Sequence, residues 1–260
     1  TDQDSVTGDT PLLLKNVNDC IEIKTIADIS NGNWTKDASY DNININTHKE
    51  YNSTNYHVWT ENGWTRIKHV MRHKVHKTIY RVFTNCGVVD VTSDHSLLDK
   101  FGSKITPSEC SIGTELLHNF PLDTLSEKNE LFEITTTEAY IMGYFWANNE
   151  YTDIDMNICA EYKNMFYDEN GYRYIPGQIL NSARDIRENF FSGYRDGYIL
   201  GHANTVNDVN SQIYFDIDSK IGAHCMYFLC KSIGYNVTID HTTSNQDVYT
   251  LILNKEKERD

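Results

Sequence analysis

The stretch SVTGDTPLLL, residues 5–14, places a serine before a short turn that leads into an apolar strand. A second stretch, VVDVTSDHSLL, residues 88–98, is typical of a strand that ends in a polar turn, with Thr92 and His95 three residues apart. A serine hydroxyl attacks poorly unless a base and a charge-stabilising donor surround it, and histidine moves protons near neutral pH. Ser5, Thr92 and His95 are therefore candidate nucleophile, oxyanion donor and proton shuttle. Each stretch alone also fits an ordinary turn or a surface histidine.

The overall composition is typical of a soluble globular protein, because 39% of the 260 residues are hydrophobic. The net charge of −14 argues against a broad phosphate-binding surface, so DNA binding is not expected. No apolar run approaches the roughly 18 residues that span a bilayer, and no signal peptide is recognisable, so no membrane contact is expected. Six cysteines without a CxxC pair predict reduced thiols and an intracellular location, in cytoplasm or nucleus.

The first half of the chain, to about residue 133, is patterned as short β-strands. Its segments are rich in β-branched residues and are separated by Gly and Asn clusters such as Asn31-Gly32-Asn33 and Glu61-Asn62-Gly63. An Asn-Gly pair between alternating segments is a strong hairpin signal, so this half is predicted to be an all-β domain. The candidate strands lie in IEIKTIADI (21–29), HVWTENGWTRIKHV (57–70) and TIYRVFTNCGVVDVTS (78–93).

The second half has helical as well as strand patterns, which predicts an α/β domain. Pro121 and the polar stretch 123–129 indicate a linker. Thr135 followed by Glu138 fits a capping box that opens a helix. Two more helical runs, ARDIRENFFSGYR (183–195) and GAHCMYFLCKSIGY (222–235), precede the strand-like VYTLILN (248–254), and Gly234 is placed as a helix stop signal.

Together, SVTGDTPLL and VVDVTSDHSLL resemble the first and second sequence blocks of inteins, the self-splicing protein elements. ITPSECSIGTELL, residues 105–117, is similar to the strand pair that follows the second block in inteins of the polymerase type. The resemblance covers nearly the whole chain. It implies an all-β hedgehog/intein (Hint) horseshoe domain with an inserted α/β domain similar to LAGLIDADG homing endonucleases. The implied divisions are an upstream extein remnant at 1–4, the N-terminal part of the Hint domain at 5–134, the inserted domain at 135–254, and a linker at 255–260.

The resemblance implies a single-turnover, autocatalytic N-to-O acyl shift at the Asp4–Ser5 bond, without a cofactor. Ser5 Oγ would attack the carbonyl carbon of Asp4, while Thr92 would help bind the oxyanion and His95 would protonate the departing amine. Asp94, in the same turn, is interpreted as a residue that orients the loop. The Asp4 carboxylate is also able to attack its own carbonyl, which predicts premature cleavage without splicing.

Inteins of this family end in His-Asn, which the terminal run 253–260 lacks, and the His118-Asn119 pair lies in mid-chain. The chain is therefore expected to be the N-terminal piece of a split intein, or of an intein cut after its insert. Its expected partners are a C-terminal intein segment, which would complete the domain by strand pairing, and the flanking exteins. The motifs are similar to inteins of family-B DNA polymerases, particularly of large viruses. The leader Thr1–Asp4 departs from their Asp-Thr-Asp-Ser insertion motif.

Within the insert, EAYIMGYFWANN (138–149) and FFSGYRDGYIL (190–200) resemble the paired LAGLIDADG helices, which pack through small residues and present acidic metal ligands. Gly143 and Gly193 occupy the close-packing positions. Asn148 and Tyr198 stand where the family has its metal-binding carboxylates, and this pair would hold Mg²⁺ poorly. The segment 135–260 also has 10 basic and 18 acidic residues, whereas a DNA-binding surface is basic. Endonuclease activity and a bound metal are therefore not expected.

Three histidines in RIKHVMRHKVHKTIY (66–80), namely His69, His73 and His76, have a spacing that would suit zinc on a helix. The surrounding residues favour strands, where the three side chains do not share a face, so a solvated basic strand is the better interpretation. Two alternatives to the intein stay open at this point. One is a homing endonuclease acting through the insert, and the other is a β-sandwich binding domain.

Overall fold

The computed structural model describes residues 4–36, 49–121, 132–148, 156–201, 212–240 and 248–255, with only the backbone at 156–159 and 255. The chain divides into two compact units. Unit 1 comprises Thr1–Cys20, Lys24–Phe83 and Val88–Pro121, and unit 2 comprises Ile21–Ile23, Thr84–Gly87 and Leu122–Asp260. The predicted linker at 123–129 and most of the predicted terminal segments 1–4 and 255–260 lie outside the described residues.

The described residues of the first half form short antiparallel strands. Their order is β2-β1-β5-β6 in one sheet and β3-β4-β7 in another, with β8-β9 and β10-β11 as separate pairs. The horseshoe arrangement of these strands stays a prediction. The bounds are β1 Pro11–Lys15, β2 Ile21–Thr25, β3 Thr35–Lys36, β4 Lys49–Ser53, β5 His57–Thr60, β6 Gly63–Arg66, β7 His69–His73, β8 Ile79–Thr84, β9 Gly87–Thr92, β10 Leu97–Leu98 and β11 Lys104–Ile105.

Apolar residues of unit 1 form a small core beneath the sheets. Its buried centre is Leu14, Ile29 and Val70. Alternation of buried and exposed residues along a strand is what a sheet with one apolar face requires, and it places Val70 inward between exposed neighbours in β7. The partly buried residues around the centre are Leu12, Ile26, Trp34, Tyr56, Val58 and Ile67.

The hairpin predicted around Glu61-Asn62-Gly63 is present. Thr60 pairs with Gly63 across a two-residue connection, and Gly63 takes a φ of +85°, which only glycine adopts at low cost. The predicted strand 21–29 is shorter than expected, because β2 ends at Thr25 and Ile26–Ile29 form a 3-10 turn. Within residues 105–117, a second 3-10 turn occupies Pro107–Glu109.

The described residues of unit 2 combine helices with an antiparallel sheet in the order β12-β14-β13. The capping box predicted for its first helix is confirmed, since Thr135 accepts a hydrogen bond from the Glu138 N–H and the Glu138 carboxylate accepts one from the Thr135 N–H. Gly234, at φ +95°, follows the last helix as predicted. The bounds are α1 Thr136–Ala147, α2 Met156–Phe166, α3 Gly177–Leu180, α4 Arg184–Gly201, β12 Gln212–Ile217, α5 Lys220–Ser232, β13 Tyr235–Asp240 and β14 Tyr249–Lys255.

Helices α1 and α4 approach each other closely through glycines. A Cβ added to Gly143 would lie 1.8 Å from the Phe190 carbonyl oxygen, and one added to Gly193 would lie 1.9 Å from the Tyr140 carbonyl oxygen. Contacts this short leave no room for any side chain, so the helix backbones touch directly. The close-packing role predicted for Gly143 and Gly193 is therefore confirmed by the geometry. None of the helices in the described ranges combines the length and the apolar composition needed to cross a bilayer.

Replacing Gly143 by Ala is expected to lower the free energy of unfolding of unit 2 by about 1–3 kcal/mol, because the new methyl group forces α1 away from α4. Urea unfolding followed by circular dichroism measures the change. Gly201→Ala is the matched control, since its Cβ would meet no atom closer than 3.9 Å at the end of α4. Equal losses of stability in the two variants would contradict the close-packing role.

Candidate functional site

The segment around Ser5 is held against the end of β9 in unit 1 by a short antiparallel contact. This contact fixes the register between residues 5–7 and residues 90–92, so Ser5 lies opposite Thr92. Val91 is fully buried and anchors the contact. The contact consists of a bridge between Val6 and Val91, a hydrogen bond from Thr7 N–H to Asp90 O at 2.9 Å, and one from Thr92 N–H to Ser5 O at 3.0 Å.

The Thr92 hydroxyl lies against both backbone polar groups of Ser5. The Ser5 N–H donates to Thr92 Oγ1 at 3.4 Å, and the Thr92 hydroxyl lies 3.4 Å from the Ser5 carbonyl oxygen, to which it can donate. Thr92 is only 1% exposed, which fixes its hydroxyl in this position. The residue therefore contacts the nitrogen of the Asp4–Ser5 bond. Its predicted contact with an oxyanion on the Asp4 carbonyl stays a prediction.

A histidine that the sequence interpretation set aside lies beside the Ser5 hydroxyl. His73 Nε2 is 3.3 Å from Ser5 Oγ, a hydrogen-bonding distance. His73 is the last residue of β7 and is half-buried, whereas His69 at the other end of the strand and His76 beyond it are exposed. The solvated-strand interpretation thus fits His69 and His76 but not His73. A neutral imidazole at this distance is placed to accept the hydroxyl proton.

His95 lies in the turn after β9 with a half-buried ring. Its backbone N–H donates to Thr92 O at 3.0 Å, which closes the turn. Its Nδ1 atom is buried and has no hydrogen-bond partner among the described residues. Burial lowers the pKa of His95, while the negative charges of Asp4 and Asp94 act in the opposite direction. The ring is therefore predominantly neutral at neutral pH and has carboxylates near enough to favour its protonated form.

Asp94 ties this turn to the segment that precedes β8. Its carboxylate accepts a hydrogen bond from Lys77 Nζ at 2.6 Å. The hydrogen bond from Lys77, followed by one from Thr92, lowers the pKa of Asp94. Because Asp94 is 40% exposed, the pair contributes little to stability, about 0–1 kcal/mol. The contacts are those expected of a loop-orienting residue.

Ser96 binds the side chain of Asp4. Asp4 Oδ1 accepts hydrogen bonds from the Ser96 N–H at 2.9 Å and from the Ser96 hydroxyl at 3.2 Å. Ser96 follows His95 in the chain, so the turn that contains the candidate proton shuttle also binds the residue before the candidate scissile bond. Sequence reasoning did not single out Ser96.

The two positions at which the resemblance implies metal-binding carboxylates, Asn148 and Tyr198, lie in unit 2. Asn148 caps the C-terminal end of α1, where its N–H donates to Tyr144 O at 3.0 Å. Tyr198 is buried in α4, and its phenolic oxygen accepts a hydrogen bond from the Asp216 N–H at 2.9 Å. Its ring packs edge-on against Phe215 with centroids 5.1 Å apart, and burial raises its pKa.

Asn148 and Tyr198 do not fit the divalent metal ion that the resemblance to LAGLIDADG endonucleases implies. The nearby acid, Asp196, accepts a hydrogen bond from the Tyr140 hydroxyl at 3.0 Å. An amide and a neutral phenol make a poor donor set for a hard divalent cation. Across the described ranges, no group of three or more His, Cys, Asp or Glu side chains could hold a metal ion.

Comparisons with known proteins show that the chain is similar to stretches of DNA polymerases. The DNA polymerase of Acanthamoeba polyphaga mimivirus is 33% identical over an alignment of 317 residues, which covers 98% of this chain and 18% of the polymerase. The DNA polymerase of Thermococcus sp. (strain GE8) is 41% identical over 66 residues, covering 25% of this chain and 4% of the polymerase. The DNA polymerase of Thermococcus hydrothermalis is 48% identical over 48 residues, covering 18% of this chain and 3% of the polymerase. The chain thus spans less than a fifth of the length of these curated relatives. No protein-family model matches it.

Unit 1 is expected to lose stability as the pH falls, in part through His95. Its pKa in the folded chain lies below the ordinary value of 6.5, so the unfolded chain binds more protons as the pH falls through that value. His95 therefore lowers the free energy of unfolding as the pH falls below about 6.5 and leaves it unchanged well above that pH. Denaturant unfolding at about pH 5 and about pH 8 should therefore show a smaller difference in unfolding free energy for His95→Gln than for the unchanged chain. The same difference in both proteins would contradict the lowered pKa.

Proposed function

We propose that the chain is a self-splicing element, an intein, embedded in a DNA polymerase, and that unit 1 performs an N-to-O acyl shift at the Asp4–Ser5 bond. The observation that carries this proposal is the position of Ser5 between Thr92 Oγ1 on its amide and His73 Nε2 on its hydroxyl. The similarity to stretches of DNA polymerases from a virus and two archaea supports the embedding.

His73 acts first in the proposed reaction, as the general base. Its neutral Nε2 accepts the proton of the Ser5 hydroxyl as Oγ forms a bond to the carbonyl carbon of Asp4. Thr92, already on the scissile amide, holds the nitrogen in place while that carbon becomes tetrahedral. A hydroxyl or N–H that binds the resulting oxyanion would lower the barrier by about 3–4 kcal/mol.

His95 acts second in the proposed reaction, as the general acid. When the tetrahedral intermediate collapses, the C–N bond breaks and the Ser5 nitrogen takes up a proton, leaving an ester between Asp4 and Ser5 Oγ. Burial disfavours the imidazolium form of His95, but the charges of Asp4 and Asp94 favour it. The two carboxylates therefore lower the free energy needed to protonate His95 before the tetrahedral intermediate collapses.

The residues proposed for this first step all belong to unit 1. The later steps of splicing are proposed to need a C-terminal intein segment as a partner, which supplies a terminal His-Asn and a downstream extein. That segment would pair with the strands of unit 1, as peptides pair with exposed sheet edges. The element works once per molecule, because the acyl group it transfers is its own upstream flank.

Unit 2 is proposed to be a folded insert without endonuclease activity. Tyr198 replaces a carboxylate and is committed to a backbone hydrogen bond and to an aromatic cluster. The net charge of residues 135–260 also supports a lack of endonuclease activity, because the segment has 18 acidic and 10 basic side chains. A surface of this sign repels DNA phosphates.

Ser5 itself provides the direct test of the acyl shift. Hydroxylamine cleaves an ester much faster than an amide, so it should release Thr1–Asp4 as a hydroxamate, detected by mass spectrometry. Ser5→Ala should abolish the part of this release that depends on hydroxylamine, because no ester can form. Ser5→Cys is the positive control, since a thioester in place of the ester should make release inducible by free thiols. Release from the Ser5→Ala protein at the original rate would rule out the acyl shift.

His73 provides a second, independent test. His73→Gln should slow hydroxylamine-induced release by about 10²–10⁴-fold, the range that a general base contributes. His69→Gln is the matched control, because His69 begins the same strand with an exposed side chain. It should leave the release rate close to that of the unchanged chain. Equal rates for the two variants would remove His73 from the mechanism.

A further inference from the structure

The residue before the proposed scissile bond has its own binding contacts in unit 1. Both Ser96 donors, the main-chain N–H and the hydroxyl, point at the same oxygen, Asp4 Oδ1, at 2.9 and 3.2 Å. A carboxylate accepts hydrogen bonds and donates none, so an N–H and an O–H converging on one oxygen match an anion. A neutral apolar side chain at position 4 would leave both donors without this acceptor.

We propose that Ser96 forms a subsite for a carboxylate in the residue before Ser5, and that binding there keeps this carboxylate from attacking its own carbonyl carbon. The proposal rests on the proposed function, because it takes the Asp4–Ser5 bond as the bond that reacts. Ser96 acts in it as a positioning residue, since it touches the side chain of Asp4 and not the atoms that react in the acyl shift.

The side reaction that the subsite opposes is an intramolecular acyl transfer. Asp4 Oδ bonds to the Asp4 carbonyl carbon and closes a five-membered cyclic anhydride, while the bond from that carbon to Ser5 nitrogen, or to Ser5 Oγ once the ester exists, breaks. The departing nitrogen or oxygen takes a proton from water. A second water then opens the anhydride to two carboxyl groups. The outcome is release of Thr1–Asp4 without ligation.

The geometry of Asp4 explains how two hydrogen bonds are enough to favour attack by Ser5 Oγ over attack by the Asp4 carboxylate. The attack requires Oδ to swing over the plane of the Asp4 carbonyl, which is a rotation about the side-chain bonds of one exposed residue. Holding Oδ1 on Ser96 removes that rotation and leaves the carbonyl carbon to Ser5 Oγ. The same position keeps the Asp4 charge near His95, where it favours the protonated ring.

The guarding role of Ser96 is to keep the Asp4 carboxylate from attacking its own carbonyl carbon. Four proteins test it: the unchanged chain, Ser96→Ala, Asp4→Ala and the double variant. Release of Thr1–Asp4 in the absence of hydroxylamine is measured by mass spectrometry. Ser96→Ala should raise this release about three- to tenfold when Asp4 is present, the factor expected from losing one hydrogen bond. It should have no effect when residue 4 is Ala. An equal factor in both backgrounds, or none in either, would overturn the guarding role.

A separate measurement tests the subsite without any chemistry at Ser5. In Ser5→Ala protein, adding Asp4→Ala should shift the Ser96 amide resonance and speed the exchange of its proton with solvent, as measured by NMR. An unmoved Ser96 resonance would overturn the subsite. If Ser5→Ala leaves hydroxylamine-induced release intact, the proposed function fails, and the Ser96 resonance still reports on the subsite by itself.

Discussion

The short antiparallel contact between residues 5–7 and 90–92 is the constraint on which the candidate site depends. Side chains alternate between the two faces of a strand, so a slip of one residue would turn Ser5 away from Thr92 and His73. Two features next to the contact resist such a slip. Val91 is fully buried, and Arg81 makes a two-pronged ion pair with Asp90 at 2.8 and 2.9 Å. A buried apolar residue and a directional ion pair thereby fix the position of the half-buried segment 5–7.

Opposing electrostatic effects meet at His95. Burial disfavours the charged ring and is the larger effect, so the pKa falls even with Asp4 and Asp94 nearby. Asp94 also forms an ion pair with Lys77. Of the two carboxylates, Asp4 belongs to the segment that the proposed reaction would release. The protonation of the proposed acid therefore depends on the identity of its own substrate.

Local signals in the sequence predicted local structure well, but they did not predict the contacts of the site. The Thr135–Glu138 capping box and Gly234 each act within a few residues, and both are where the pattern puts them. The contact between His73 and Ser5 joins residues 68 positions apart. Strand alternation gives the face of His73 but not what lies opposite, because sheet pairing is decided by tertiary packing. For the same reason the sequence did not reveal the role of Ser96 or the contact of Thr92 Oγ1 with the nitrogen of the Asp4–Ser5 bond.

The resemblance to LAGLIDADG helices places two demands, close packing and metal binding, on different residues of α1 and α4 in unit 2. Gly143 and Gly193 are required by contact between backbones, and any side chain there would cost stability whether or not the helices hold a metal. The carboxylates that the resemblance would place at positions 148 and 198 would serve only a metal, and burying them without it would be unfavourable. Tyr198 suits the fold better than an acid would, because its ring fills apolar space and its oxygen accepts a backbone hydrogen bond. Close packing of α1 against α4 thus does not require metal-binding carboxylates at positions 148 and 198.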